Sequence, residues 1–289
     1  MRRIAIIGLG LIGGSMGLAL KQAGLEDAEL IGYTRSSETA INALKRGAVD
    51  KIEDNLISAV GKAEIVILST PVMAMKEILK KIGPHLSPVC IVTDTASTKV
   101  KVMEWAEEYL PSGINFIGGH PMAGKELSGI SAAEADLFKG CTYCVVQGVS
   151  ASPEAIKVIT DLVKYLGANP LFITASEHDN FVAGISHLPL ILSSSLVMST
   201  TQSPYWQEMS GLAAGGYRDL TRLAAQHPIM NRDICLTNQQ NILNWIEEFI
   251  KKLSQFRQFI IDGDEGLEKA FIQAQQARRK WIEEHDKRD

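Results

Sequence analysis

Scarcities bound this chain of 289 residues before any motif does. Positive charge is not in excess: 29 Lys and Arg face 33 Asp and Glu, a net charge of −4, which argues against nucleic acid and against an anionic membrane surface as partners. Once the glycine-rich start is set aside, no apolar run is expected to reach the length of a bilayer span. Cysteine is sparse, at Cys90, Cys141, Cys144 and Cys235. Cys141 and Cys144 form one CxxC, but residues three apart on a strand point to opposite faces. Without a second pair the reading is core packing, with no metal site and no redox centre. Four thiols and no disulfide framework fit a reducing, cytoplasmic setting. Repeats, low-complexity tracts and long linkers are missing as well. What remains is an ordinary globular composition, 46% apolar and 21% charged, in a chain long enough for two domains.

The most informative stretch is the first twenty residues, MRRIAIIGLGLIGGSMGLAL. Residues 3–7 predict a short buried strand, broken by Gly8-Leu9-Gly10-Leu11-Ile12-Gly13, with a helix over 15–22. In a dinucleotide site Gly8 permits the tight turn, Gly10 lets a pyrophosphate approach the main chain, and Gly13 lets the helix pack on its strand. The free N–H groups at the start of that helix, around Leu11 and Ile12, then face the phosphates. A signal peptide would also place Arg2-Arg3 before an apolar run, but six glycines and the lack of an A-x-A site reject it. About twenty residues on, NAD sites usually place an acid against the ribose 2′-hydroxyl. This chain has Thr34-Arg35-Ser36-Ser37 there, and hydroxyls with a guanidinium suit a 2′-phosphate. The plainer alternative is a polar loop that starts a helix near 37–44. NADP is favoured over NAD.

Further strands are expected at 29–33, 64–69, 90–94 and 114–117, each ending in a polar loop, and two more at 141–146 and 170–173 around a helix at 153–165. That order predicts the α/β class, a doubly wound parallel sheet with ligands beyond the carboxyl ends of its strands. Thr70, Ser97 and His120 all follow strand ends, and Ser97 and His120 should share one crevice. Beyond Thr174 only helices are expected, over 177–197, 217–225, 229–255 and 265–284, an all-α domain whose boundary falls between residues 172 and 173. An apolar stripe through Ile242, Trp245, Ile246, Phe249, Leu253 and Phe256 points to a homodimer.

Two segments of the second half carry chemistry. Pro189 removes the main-chain bond to Ile185 and should kink its helix. On a straight helix His178 and His187, nine apart, face opposite sides and are not expected to line one site. Arg218 and Arg222 are i,i+4 neighbours, and spacing alone leaves open an anion site or a solvated face with Asp219.

Taken together, GLGLIGGS, TDTASTK (93–99), GGHPMAG (118–124), EHDNFVAGISHLP (177–189) and GYRDLTRLA (216–224) resemble the prephenate/arogenate dehydrogenase family, in order and along essentially the whole chain. The resemblance implies an NAD(P)-binding Rossmann-type domain followed by an all-α dimerisation domain. It implies oxidative decarboxylation of prephenate to 4-hydroxyphenylpyruvate, or of arogenate to tyrosine. It makes His120 the acceptor of the ring hydroxyl's proton, with Ser97 beside it, and puts Arg222 on a substrate carboxylate. His187 and Arg218 become further substrate contacts, and Glu126 an acidic residue guarding the site. Gly8, Gly10, Leu11, Ile12, Gly13, Thr34, Arg35, Ser36 and Thr70 would hold the cofactor.

Relatives with a PxMW segment have Trp where this chain has Asn231, which leaves prephenate versus arogenate open. No regulatory ACT module or chorismate mutase segment is expected, so tyrosine feedback would act at the active site. A 3-hydroxyacid or 6-phosphogluconate-type dehydrogenase would need a catalytic lysine in the second domain, and Lys251-Lys252 sits in an exposed-looking run. A dinucleotide-sensing dimer without turnover would not need His120, Ser97 and Arg222 together.

Overall fold

In the computed structural model, which describes residues 2–25, 28–125, 127–263 and 265–285, successive residues of the first strand face different cores. Within β1 (Arg2–Ile7), Ile4 and Ile6 are buried on one side of the sheet and Ala5 and Ile7 on the other. A strand buried on both faces reads as a continuous apolar run, which is why the sequence showed no alternation here. β2 (Ala28–Tyr33), β3 (Lys51–Ile52), β4 (Ile65–Leu68), β5 (Ile91–Asp94) and β6 (Asn115–Pro121) extend the sheet in parallel, and β7 (Thr142–Gln147) and β8 (Asn169–Phe172) complete it. The order is β3-β2-β1-β4-β5-β6-β7-β8. Helices α1 (Leu11–Gln22), α2 (Ser37–Lys45), α3 (Leu56–Val60), α4 (Val72–Ile82), α5 (Val100–Tyr109) and α6 (Pro153–Tyr165) accompany the strands. β1 has β2 on one side and β4 on the other, so the strand order reverses direction there, where ligands of such sheets bind.

Two details depart from the expected parallel sheet. β7 runs antiparallel to β6, and β8 follows β7 in parallel. β6 also outlasts its expected end at residue 117: pairing with β5 stops at Ile117, whereas pairing with β7 continues through His120 and Pro121. His120 therefore projects from a strand held on one edge, not from a loop.

The remaining helices are α7 (Ala175–Val182), α8 (Leu188–Thr201), α9 (Trp206–Ser210), α10 (Gly215–Thr221), α11 (Pro228–Thr237), α12 (Gln239–Asp262) and α13 (Gly266–His285). A capping box starts α7: Thr174 Oγ1 accepts the Glu177 N–H at 3.2 Å, and the Glu177 carboxylate accepts the Thr174 N–H at 3.1 Å. Pro189 has the expected local effect, since a π-helical turn, Ala183–His187, separates α7 from α8. Helix 229–255 is in fact two helices, because Asn238 leaves helical geometry at φ −127°, ψ 35°.

The combined run Ala175–Thr201 corrects the expectation about apolar length: by length and composition it could cross a bilayer. Its polar residues His178, Asp179, His187 and Ser193 are buried, while apolar Phe181, Ile185 and Met198 are exposed in the single chain. The chain forms two compact units, 1–242 and 243–289. Within the second, Phe256 meets Phe259 and Phe271 with ring centroids 6.5 and 5.4 Å apart.

Candidate active site

The turn after β1 is shaped by contact. Gly8 has φ +101°, a left-handed value that favours glycine, and its N–H donates to the Tyr33 carbonyl at 2.8 Å. A Cβ on Gly13 would stand 1.9 Å from the Gly8 carbonyl oxygen, so α1 touches its own turn. At Gly10 a Cβ would meet nothing within 4 Å. α1 begins just after Gly10 with no side-chain cap, which leaves first-turn N–H groups available to an anion. A cleft of about 310 Å³ opens here, lined by Gly10, Leu11, Ile12, Thr70, Ser97, Lys125 and, from α11, Met230. Thr70 Oγ1 is buried in it without a hydrogen-bond partner among the described residues. Lys125 pairs with Glu134, whose own N–H donates to Ser15 of α1 at 2.9 Å.

A second cavity, about 570 Å³, lies past β2 among Thr34, Arg35, Ser37 and Asp54. Arg35 is exposed there and has no partner among the described residues. Ser36 instead serves the helix, its Oγ accepting the Thr39 N–H at 3.2 Å. An open glycine, uncapped amides, an orphaned hydroxyl and a guanidinium beside a separate polar cavity together fit a dinucleotide. A larger cavity, about 800 Å³ between α5 and β8, holds none of these residues.

Next to the cleft stands a cluster of histidines. His120 Nδ1 lies 2.8 Å from His178 Nε2, and His178 Nδ1 lies 2.8 Å from Asp179 Oδ1. Asp179 also accepts the N–H groups of Lys99 (2.6 Å) and Val100 (2.9 Å), capping α5. Below them Lys99, wholly buried, pairs with Asp94 and donates to the Gly119 carbonyl at 2.7 Å. Asp94 in turn accepts the Gly119 N–H at 3.1 Å, so the ion pair ties the end of β5 to the residue before His120. Such a pair is weak evidence for stability but removal of either partner would strand a buried charge. Burial, and after it the nearby His178, Lys99 and His187, hold the His120 imidazole well below its ordinary pKa, leaving it uncharged at neutral pH.

His187 joins the same cluster, contrary to the expectation from a straight helix. The π turn holds one residue more than an α turn, and it brings His187 round to the side of His178. Asn238 fastens both: its Nδ2 donates to the Asp179 carbonyl at 2.7 Å and lies 3.2 Å from His187 Nδ1. Thr98 and Thr237 hydroxyls, 2.8 Å apart, tie the same junction to the loop after β5.

The other expected residues are placed less centrally. Ser97 lines the cleft but makes no hydrogen bond to His120; the ring is held by His178. Arg218 on α10 and Arg222 at the start of the following 3₁₀ turn (Arg222–Ala225) are exposed, outside the buried cluster. Glu126 lies outside the described residues. Sequence reasoning missed His178, Asp179 and Asn238 as members of the site. The signal that could have found them was Pro189, once its kink is allowed to rotate the helix.

Comparison with known proteins agrees with this architecture. Residues 16–171 match the family model described as prephenate dehydrogenase, nucleotide-binding domain, and residues 174–286 the one described as prephenate dehydrogenase, dimerization domain. The prephenate dehydrogenase of Bacillus subtilis is 38% identical over 263 residues, 90% of this chain and 71% of that protein. The crystal structure of the Aquifex aeolicus prephenate dehydrogenase in complex with hydroxyphenyl propionate and NAD+ has a TM-score of 0.90 at 28% identity, covering 97% of this chain and 98% of that one. Synechocystis arogenate dehydrogenase gives 0.82 at 31% identity, covering 97% and 100%. With both halves matched in order around the nucleotide cleft, the chain belongs to the prephenate dehydrogenase family.

Proposed function

We propose that this chain oxidatively decarboxylates prephenate to 4-hydroxyphenylpyruvate, with arogenate as the alternative substrate, acting as a cytoplasmic homodimer through its C-terminal helices. We place the domain boundary between residues 172 and 173, a reading supported by the family matches over 16–171 and 174–286. The observation that carries the reading is an uncharged, partly buried His120 beside the dinucleotide cleft.

The reaction needs three things: a hydride must leave the carbon bearing the ring hydroxyl, that hydroxyl must give up its proton, and the ring carboxylate must depart as carbon dioxide. His120, a neutral base at neutral pH, takes the hydroxyl proton as the hydride leaves and returns it to the phenolic oxygen after decarboxylation. Ser97 lines the cleft at the reacting end, Arg222, with Arg218 and His187, holds the substrate carboxylates, and Glu126 is the acidic residue that guards the site. The dinucleotide, held by Gly8, Gly10, Leu11, Ile12, Gly13 and Thr70, supplies the hydride acceptor. Thr34, Arg35 and Ser36 form its ribose end, where Arg35 favours NADP because Thr34 stands where NAD sites place their acid, while Asp54 on the same cavity works against that preference.

Steady-state kinetics with prephenate or arogenate, each with NAD or NADP, tests the proposal. Prephenate with NADP should give the highest kcat/KM. Arg35→Ala should raise the NADP KM by about one to two orders of magnitude, a charge-assisted contact, with little change for NAD. A wild type that prefers NAD overturns the cofactor preference. One that reacts with neither acid overturns the activity.

A further inference from the structure

We infer that His178 and Asp179 are positioning residues that hold His120 in the one tautomer able to act as a base. The inference rests on the role given to His120 above. Hydrogen-bond polarity follows from the far end of the array. Asp179 is an acceptor, because its two oxygens already take the main-chain N–H groups of Lys99 and Val100. The proton in its 2.8 Å contact with His178 therefore sits on His178 Nδ1. A neutral His178 then presents a lone pair at Nε2, so the 2.8 Å contact with His120 requires a proton on His120 Nδ1. His120 Nε2 is left with the lone pair that accepts the substrate's hydroxyl proton.

Proton accounting closes on the same three groups. When His120 Nε2 takes the hydroxyl proton, the Nδ1 proton moves along its bond to His178 Nε2. The positive charge then lies on His178, against the Asp179 carboxylate. His120 keeps the substrate's proton on Nε2 for return to the phenolic oxygen, and the Nδ1 proton comes back. No proton enters or leaves the array.

The competing arrangement has His178 doubly protonated beforehand. His178 would then donate to His120 Nδ1, the His120 proton would move to Nε2, and the base would be lost. The groups facing His120 are His178 from α7, Lys99 ahead of α5 and His187 from the π turn, and all three oppose added positive charge. Among the described residues Asp179, through His178, and Asp94, through Lys99, favour it.

Histidine nitrogen NMR on ¹⁵N-labelled protein without substrate reads the tautomer directly. At about pH 7.5, His120 should show a protonated Nδ1 and a bare Nε2. In Asp179→Ala the acceptor that keeps the proton on His178 Nδ1 is gone, so His120 is no longer held with its proton on Nδ1 and the Nε2-protonated tautomer should appear. kcat should then fall about 10²–10⁴-fold, while KM and the dinucleotide Kd stay within about threefold. His178→Gln, which retains an acceptor, should be milder than His178→Leu, and the acid limb of log kcat should move in both.

A wild-type His120 with its proton on Nε2 overturns the inference, as does Asp179→Ala with unchanged tautomer and kcat. Asp179 also caps α5, so if Asp179→Ala does not fold, His178→Leu decides: a tautomer unchanged from wild type overturns the inference. If wild type turns over neither prephenate nor arogenate, the proposed function fails, while the NMR measurement still decides the relay.

Discussion

His187 is 2% exposed; its Nδ1 lies 3.2 Å from Asn238 Nδ2, and the Ser97 main chain lies against the ring as well. The Asn238 amide points its nitrogen at the Asp179 carbonyl, so it is the donor, His187 Nδ1 is the acceptor and Nε2 carries the proton. Burial pushes the His187 pKa down to about 4, with Asp179 and the Ser97 main chain opposing and His178 adding to the fall. A histidine depressed in this way binds its proton less well folded than unfolded. Its contribution is complete above the unfolded value near 6.5 and is lost as pH falls toward 4, about 3 kcal/mol in all. Urea unfolding at fixed protein concentration should show wild type losing about 2 kcal/mol more than His187→Gln between about pH 7.5 and pH 5. Equal losses in the two proteins would refute the assignment. At this scale the sequence revealed residues whose type alone is informative, such as His120 before Pro121 and the glycines of the first turn. It hid His178 and Asp179, whose meaning depends on which way one helical turn faces.

Among the elements, α1 separates two reasons for a glycine. Gly13 is needed by the fold, because its α-carbon packs on the Gly8 carbonyl; Gly10 is needed by the ligand, because none of the described residues fills the space beside it. Gly10 already has φ −76°, which alanine accepts. Gly13→Ala should therefore cost about 1–3 kcal/mol of stability by overpacking and weaken dinucleotide binding as well. Gly10→Ala should keep its Tm within about 2 °C and still weaken binding about tenfold or more. Thermal unfolding with a fluorescence titration of reduced dinucleotide distinguishes them, and a Gly10→Ala protein that binds normally would remove the phosphate from this turn. Strands β1, β2, β4 and β5 were legible because continuous apolar runs bounded by polar loops have few other outcomes. The length of β6 was not, because it is set by β7, a partner distant in sequence. The π turn was half legible: Pro189 announced a kink but not its sense.

For the whole molecule, the residues that face solvent in one chain are the informative ones. Ile242 is the one buried residue of α12, a helix of 24 residues. Trp245, Phe249, Ile250, Leu253, Ile260 and Ile261 of α12 are exposed, as are Phe271, Ile272, Trp281 and Ile282 of α13. Helices of this kind draw their stability from burying an apolar face, and exposed apolar area on this scale marks an interface. The apolar stripe was visible in the sequence, whereas its destination was not, because periodicity does not distinguish an intrachain core from a second copy. The family match to a dimerization domain over 174–286 favours the second copy. Each fully buried side chain of this size contributes about 1.5–3 kcal/mol, so a few of them suffice for a stable pair. Sedimentation at micromolar concentration should give twice the 31.5 kDa chain mass. Leu253→Asp combined with Ile260→Asp puts two charges into the proposed contact, and should shift the protein toward the single-chain mass and make Tm rise with concentration. A wild type that sediments as one chain and remains active would exclude the homodimer. A double variant that stays dimeric would place the contact on another face of these helices.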